Sequence, residues 1–198
     1  MKLLRNLKHK FKTSALIMAV SIAGTGQVIA ADEIKVGVLF SQTGGLSIVE
    51  KSLADATLMA IEEINTAGGV NGKMIKPIVE DGASDPKTFN EKVSKLIIRD
   101  RVVTVFGGYT SASRKAMLPV IEKRKNLLFF PTFYEGSECS KNVIYTGTAP
   151  NQQLNDYIPY LINTLGKKKF FIVGSNYLFP KELAKVAKKL IEEMARNG

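Results

Sequence analysis

The sequence predicts an α/β protein built on a parallel sheet with helices on both faces. Three observations predict it: short β-rich apolar runs recur along the chain, segments of helical period separate them, and glycine, proline or Asx residues mark most changeovers. Strand-to-strand connections of this length require right-handed crossovers, which place the helices against the sheet.

Ile34 to Phe40 (IKVGVLF) is the first strand, followed by the polar loop Ser41 to Ser47. Leu53, Thr57, Ala60, Ile61 and Ile64 then share one helical face. Gly68-Gly69 ends that helix, Asn71-Gly72 makes a turn, and Met74 to Val79 returns as a strand. Asp85 is an N-cap with Pro86 at the first helical position, and Phe89, Val93, Leu96 and Ile97 form the next apolar stripe. Strand Val102 to Phe106 follows, then a helix from Ser111 to Arg124 with Met117, Val120 and Ile121 inward, then strands Leu127 to Phe130 and Val143 to Tyr145. Further on, the pattern predicts helix Gln152 to Leu165, strand Lys169 to Val173 and helix Pro180 to Asn197. A single strand cannot make an independent sheet, so we expect a second lobe that is only begun. Such a chain is expected to bind ligand too weakly for calorimetry, because a one-sided pocket leaves water competing for every hydrogen bond.

The N-terminus reads as a targeting segment. Lys2, Arg5, Lys8, Lys10 and Lys12 precede an apolar stretch from Ala15 to Ala23, and small residues suited to signal peptidase surround Ala30 and Ala31. The apolar run is short for a bilayer span, which favours cleavage over an uncleaved anchor. The expected organisation is a signal peptide over residues 1–31, a first ligand-binding lobe over 32–150 and a partial second lobe over 151–198, exported to the periplasm. Five of the 28 Lys and Arg precede residue 13, and all 18 Asp and Glu follow residue 31, so the balance beyond the signal is only +5. Nucleic-acid binding gains little from that charge, and the lysine runs 167–169 and 185–189 read as solvated surface.

The residue inventory argues against catalysis. The one histidine, His9, lies in the signal segment, so Cys–His and Ser–His–Asp mechanisms are excluded beyond it, and no zinc ligand set is evident. Phe40 to Gly45 is not G-x-G-x-x-G, and no phosphate-binding P-loop or nucleophile elbow occurs. Glu80, Asp81 and Asp85 surround a strand-to-helix loop, where turn and cap duties are ordinary. No catalytic residue, metal or cofactor is expected. Cys139 has no partner for an internal disulfide.

A binding site is the better expectation. In open parallel sheets the ligand lies beyond the carboxyl ends of the strands. There the topology gathers Ser41 to Gly45, Gly107 to Ser113, Pro131 to Glu135 and Gly174 to Phe179, rich in hydroxyls, aromatic rings and backbone amides at a helix start. That set suits a small neutral polar ligand such as urea or a short amide. Ser111 and Ser113 equally suit helix capping, and Glu135 suits either ligand hydrogens or pairing with Arg114.

At these residues the chain resembles the type I periplasmic binding proteins, in the branch of urea and short-chain amide receptors and the amide sensor of aliphatic amidase expression. The similarity covers about residues 34–197, with segments including S-A-S-R-K from Ser111, Y-E-G-S-E-C-S from Tyr134 and A-P-N-Q from Ala149. It implies an ABC-importer receptor that delivers urea or a short-chain amide to an inner-membrane permease and its ATPases. The implied ligand-binding residues are Tyr109, Ser111, Thr132, Phe133, Tyr177 and Phe179. Urea receptors carry Trp in place of Tyr109 and Val-Gln in place of Thr132-Phe133, whereas the amide sensor has Tyr and Thr, so this chain is intermediate. Branched-chain amino-acid receptors share the fold and are the second reading. An amide-sensing regulatory protein is a further alternative.

Overall fold

The computed structural model describes residues 33–197, so the expected signal segment lies outside the described residues. Five parallel strands form one sheet in the order β2-β1-β3-β4-β5. They are β1 (Ile34–Phe40), β2 (Ile75–Asp81), β3 (Thr104–Gly107), β4 (Leu128–Phe130) and β5 (Val143–Tyr145). β1 is the spine, pairing with β2 from Ile34–Ile75 to Phe40–Asp81 and with β3 from Val36–Thr104 to Leu39–Gly107. β2 accommodates Pro77 because it lies at the sheet edge, where a missing N–H breaks no ladder.

Alternation along β1 divides the core. Val36, Val38 and Phe40 pack with Ala54 and Ile61 of α1 (Ser47–Thr66) on one face. Leu39 faces the other way, into a cluster with Val105, Leu128 and Phe130 from the sheet. Phe89 and Val93 of α2 (Pro86–Ser94) and Met117 and Ile121 of α3 (Ser111–Lys123) complete it. Each of these side chains is nearly or wholly buried, and such burial stabilises by about 1.5–3 kcal/mol per large residue. α2 continues as a π-helical turn, Lys95–Arg99, which carries Leu96 into the same core.

The predicted helix face of α1 is partly corrected. Ile61 is buried, but Ile64 is 41% exposed, while Ala54 and the charged Glu50 turn inward. Glu50 is drawn in because its carboxylate accepts from the Ser41 backbone amide at 2.6 Å, anchoring the loop after β1. Burial pushes its carboxyl above the ordinary range, against the opposing pull of that hydrogen bond. The acidic residues around residues 80–85 have turn and cap duties. Asp85 accepts from Thr88 N at 2.8 Å, Asp81 accepts from the amides of Gln42 and Ala83, and Glu80 pairs with Lys92 and Lys95.

The region after β5 departs most from expectation. In place of one helix over 152–165 there are α4 (Pro150–Leu154), α5 (Tyr157–Pro159) and a π-helical turn, Tyr160–Thr164. Pro159 removes an N–H from the run. The expected strand Lys169 to Val173 does not form: residues 167–175 are irregular, and Phe171 is 91% exposed. A strand needs a ladder partner, and none stands beside this run among the described residues. α6 (Leu178–Asn197) does form, packing against α3, α4 and α5, with an apolar gap of about 370 Å³ between it and residues 170–173.

Trypsin is therefore expected to cut first after Lys167, Lys168 or Lys169, leaving the segment that carries the sheet intact. Mass spectrometry of a short digest checks this. First cuts within residues 34–145, with 167–175 resistant, would contradict the account.

Candidate functional site

Sheet order reverses between β1 and β3, so the loops after these strands diverge and open a crevice at their carboxyl ends. The backbone there is tightly constrained. A Cβ on Gly107 would sit 2.1 Å from the Leu39 carbonyl oxygen, and Gly108 turns the chain with φ of 79°. Thr110 then caps α3: its hydroxyl oxygen accepts from Ser113 N at 3.0 Å. Capping thus falls to Thr110 rather than to Ser111 or Ser113, since the residue before the first helical turn must be extended, and Thr110 is. Ser111 occupies the first turn, buried, at the crevice.

After β4 the chain runs through Pro131–Asn142 and returns over α3. Gly136 and Ser137, with φ of 75° and 56°, bend it so that Glu135 and Glu138 meet Arg114. Arg114 is fully buried. Its Nη2 donates to Glu135 Oε1 at 2.8 Å, its Nε donates to Glu138 Oε1 at 2.9 Å, and its Nη1 donates to Ser111 Oγ at 3.2 Å. Ser111 Oγ in turn donates to Glu135 Oε2 at 2.5 Å. Rings enclose the guanidinium, with Phe130 at 4.8 Å, Tyr134 at 5.5 Å and Tyr145 at 5.7 Å from its carbon. Tyr134 and Tyr145 stack on one another at 4.0 Å, and the Tyr145 hydroxyl donates to Glu138. Lys115 stands near both carboxylates, so four formal charges balance.

The titration behaviour follows from this enclosure. Burial alone would raise the Glu138 carboxyl, but hydrogen bonds from Arg114 and Tyr145 and the nearby positive charge hold it below the usual range. Burial, and then the hydrogen bond to Glu138, push the Tyr145 phenol upward.

The structure gathers five of the six predicted binding residues. Tyr109, Ser111, Phe133, Tyr177 and Phe179 line one cleft with Thr110. Phe133 and Phe179 narrow it, their rings 4.7 Å apart, leaving room of about 20 Å³, enough for one water. Thr132 stands behind this cleft: its hydroxyl donates to the Tyr109 carbonyl at 2.9 Å and so fixes the wall. Glu135, open in the sequence to two duties, is paired with Arg114 and Ser111. The clustering of Glu138 and Tyr145 around Arg114 was not read from the sequence. Its one signal is the spacing of two glutamates in a loop beside a serine-arginine helix start. Cys139 is exposed and unpaired by disulfide.

A parallel sheet with a polar-and-aromatic cleft beyond its strand ends is an open α/β fold with a candidate ligand site at its usual position. The chain belongs to the periplasmic binding protein domain family, whose pattern matches residues 34–197. Among curated proteins it is 34% identical over 122 residues to a leucine-, isoleucine-, valine-, threonine- and alanine-binding protein of Pseudomonas aeruginosa, covering 61% of this chain and 32% of that protein. It is 23% identical over 182 residues to a leucine-specific-binding protein of Salmonella typhimurium, covering 90% and 48%. Among solved structures it resembles a branched-chain amino acid transporter substrate binding protein of Streptococcus pneumoniae in complex with isoleucine. There the TM-score is 0.69 at 22% identity, covering 79% of this chain and 46% of that one. The chain spans half or less of the length of these relatives. No described helix is long and apolar enough to cross a membrane.

Replacing Arg114 by Met strands the buried Glu135 carboxylate and removes a partner of the partly buried Glu138, and is expected to cost about 3–5 kcal/mol in urea denaturation at neutral pH. The pH dependence follows from Glu138. Because its folded value is depressed, its stabilisation is present above the ordinary glutamate value near 4.5 and is lost as pH falls through the folded value. Wild-type stability should therefore fall in acid, and a Glu138→Gln variant should fall less steeply. Equal acid slopes would count against the network.

Proposed function

We propose that this chain carries the ligand-contacting first lobe of a periplasmic solute receptor serving an ABC importer. The lobe spans residues 32–150, and part of a second lobe follows. The reading rests on one observation: Tyr109, Ser111, Phe133, Tyr177 and Phe179, distant in sequence, converge on one cleft beyond the strand ends. In this reading Ser111 contacts the ligand's polar end, the rings exclude water, and Thr132 holds the Tyr109 wall. The receptor binds without chemistry and hands its ligand to an inner-membrane permease with ATPase subunits.

The names of the similar proteins support an amino acid of the aliphatic class as ligand. Urea or a short amide is the second reading, favoured by the small room, about 20 Å³, that the Phe133 and Phe179 rings leave in the cleft. Nuclear magnetic resonance titration of the chain with leucine, alanine, urea and acetamide separates them. One class should give saturable shifts centred on Tyr109, Ser111 and Phe133, with millimolar affinity of about −4 kcal/mol because only part of the pocket is present. Saturable shifts away from this cleft, or none with any of the four, would overturn the reading.

A further inference from the structure

The hydrogen-bond arithmetic at Ser111 goes further than the presence of a hydroxyl in the cleft. A carboxylate only accepts and a guanidinium only donates. Ser111 lies between the two: Glu135 Oε2 at 2.5 Å must take its single hydrogen, and Arg114 Nη1 at 3.2 Å takes one of its two lone pairs. One lone pair remains. Glu135 cannot easily turn away, because its other oxygen accepts from Arg114 Nη2 at 2.8 Å and the residue is buried. Arg114 is itself fixed by Glu138 and by three aromatic rings.

We infer that Glu135 is a specificity-determining positioning residue that locks the hydroxyl of Ser111, a cleft-lining residue, as a hydrogen-bond acceptor for any ligand group that reaches it. A ligand atom opposite Ser111 must then be an N–H donor, as in an amide, urea or an ammonium group, and a bare carbonyl or ether oxygen there is rejected. Unlocked serine hydroxyls rotate to suit either kind of partner. This inference rests on the proposed binding site and adds the sign of its polar contact, which holds for both ligand readings above.

Two matched pairs test it on the full chain: acetamide against acetone, and leucine against 4-methylpentanoate, which lacks the amino group. Wild type is expected to prefer the donor-bearing member of whichever pair binds by at least about tenfold. Glu135→Gln is nearly isosteric and can donate to Ser111 through its amide; Arg114 and that amide then fill both serine lone pairs and leave its hydrogen free, so the preference for the donor-bearing member should be lost or reversed. Undiminished preference in Glu135→Gln, or parallel loss of both members, would overturn the inference and leave Glu135 a structural residue. A reading without ligand keeps the two claims apart. The Ser111 hydroxyl proton should be visible by nuclear magnetic resonance as a slowly exchanging signal with contacts to Glu135, and lost in Ser111→Ala. If that proton exchanges freely, the lock is wrong whatever binds. If it is held yet no member of either pair binds, the binding-site reading fails instead.

Discussion

The buried Arg114 ion network is the constraint on which the cleft depends. A guanidinium with no exposed surface must be paired, because an uncompensated buried charge costs several kcal/mol. Satisfying it draws Glu135 and Glu138 from the loop after β4 onto the start of α3, and that closure carries Phe133, two residues before Glu135, to the cleft mouth. Tyr145 at the end of β5 is drawn in by Glu138 and by stacking on Tyr134. One charge thus ties the start of α3 to the ends of β4 and β5 beside the candidate cleft. Such a network is weak evidence for net stability. Its effect is to leave few alternative arrangements for the loop.

The sheet supplies the frame. β1, paired on both sides from Val36 to Leu39, fixes the crevice through the contact of Gly107 with Leu39. The loop after β1 is held by groups from neighbouring elements, with Glu50 and Asp81 accepting its backbone amides. Loops that carry binding groups gain precision from such fixing, because each hydrogen bond to a neighbouring element removes a freedom that ligand binding would otherwise have to freeze.

The first five strands and their helices were legible in the sequence because both periods are strong there. Val36, Val38 and Phe40 alternate, Phe89, Val93 and Leu96 recur at helical spacing, and Asp85-Pro86 marks a helix start. The convergence of the residues that line the candidate cleft was legible through topology, since loops after parallel strands must share one edge. Lys169 to Val173 misled for a physical reason: β-propensity describes fitness for a paired surface, and Phe171 has no such surface to join. Glu50 was missed because its burial depends on a backbone amide of the loop after β1, which periodicity does not reveal. The role of Glu138 was hidden for a similar reason. The positive-φ turn at Gly136 and Ser137 and the pairing with Arg114 bring its loop to α3, and neither shows in the periodicity.

The central claim, that Arg114 and Glu135 act as one unit, is tested most directly by a double-mutant cycle. Arg114→Met, Glu135→Gln and the double variant would be compared with wild type by urea denaturation at pH 7. The account predicts a coupling energy of about 2 kcal/mol or more, with the double variant less damaged than the sum of the singles. Additive effects within about 0.5 kcal/mol would show the pair to be independent and contradict the account.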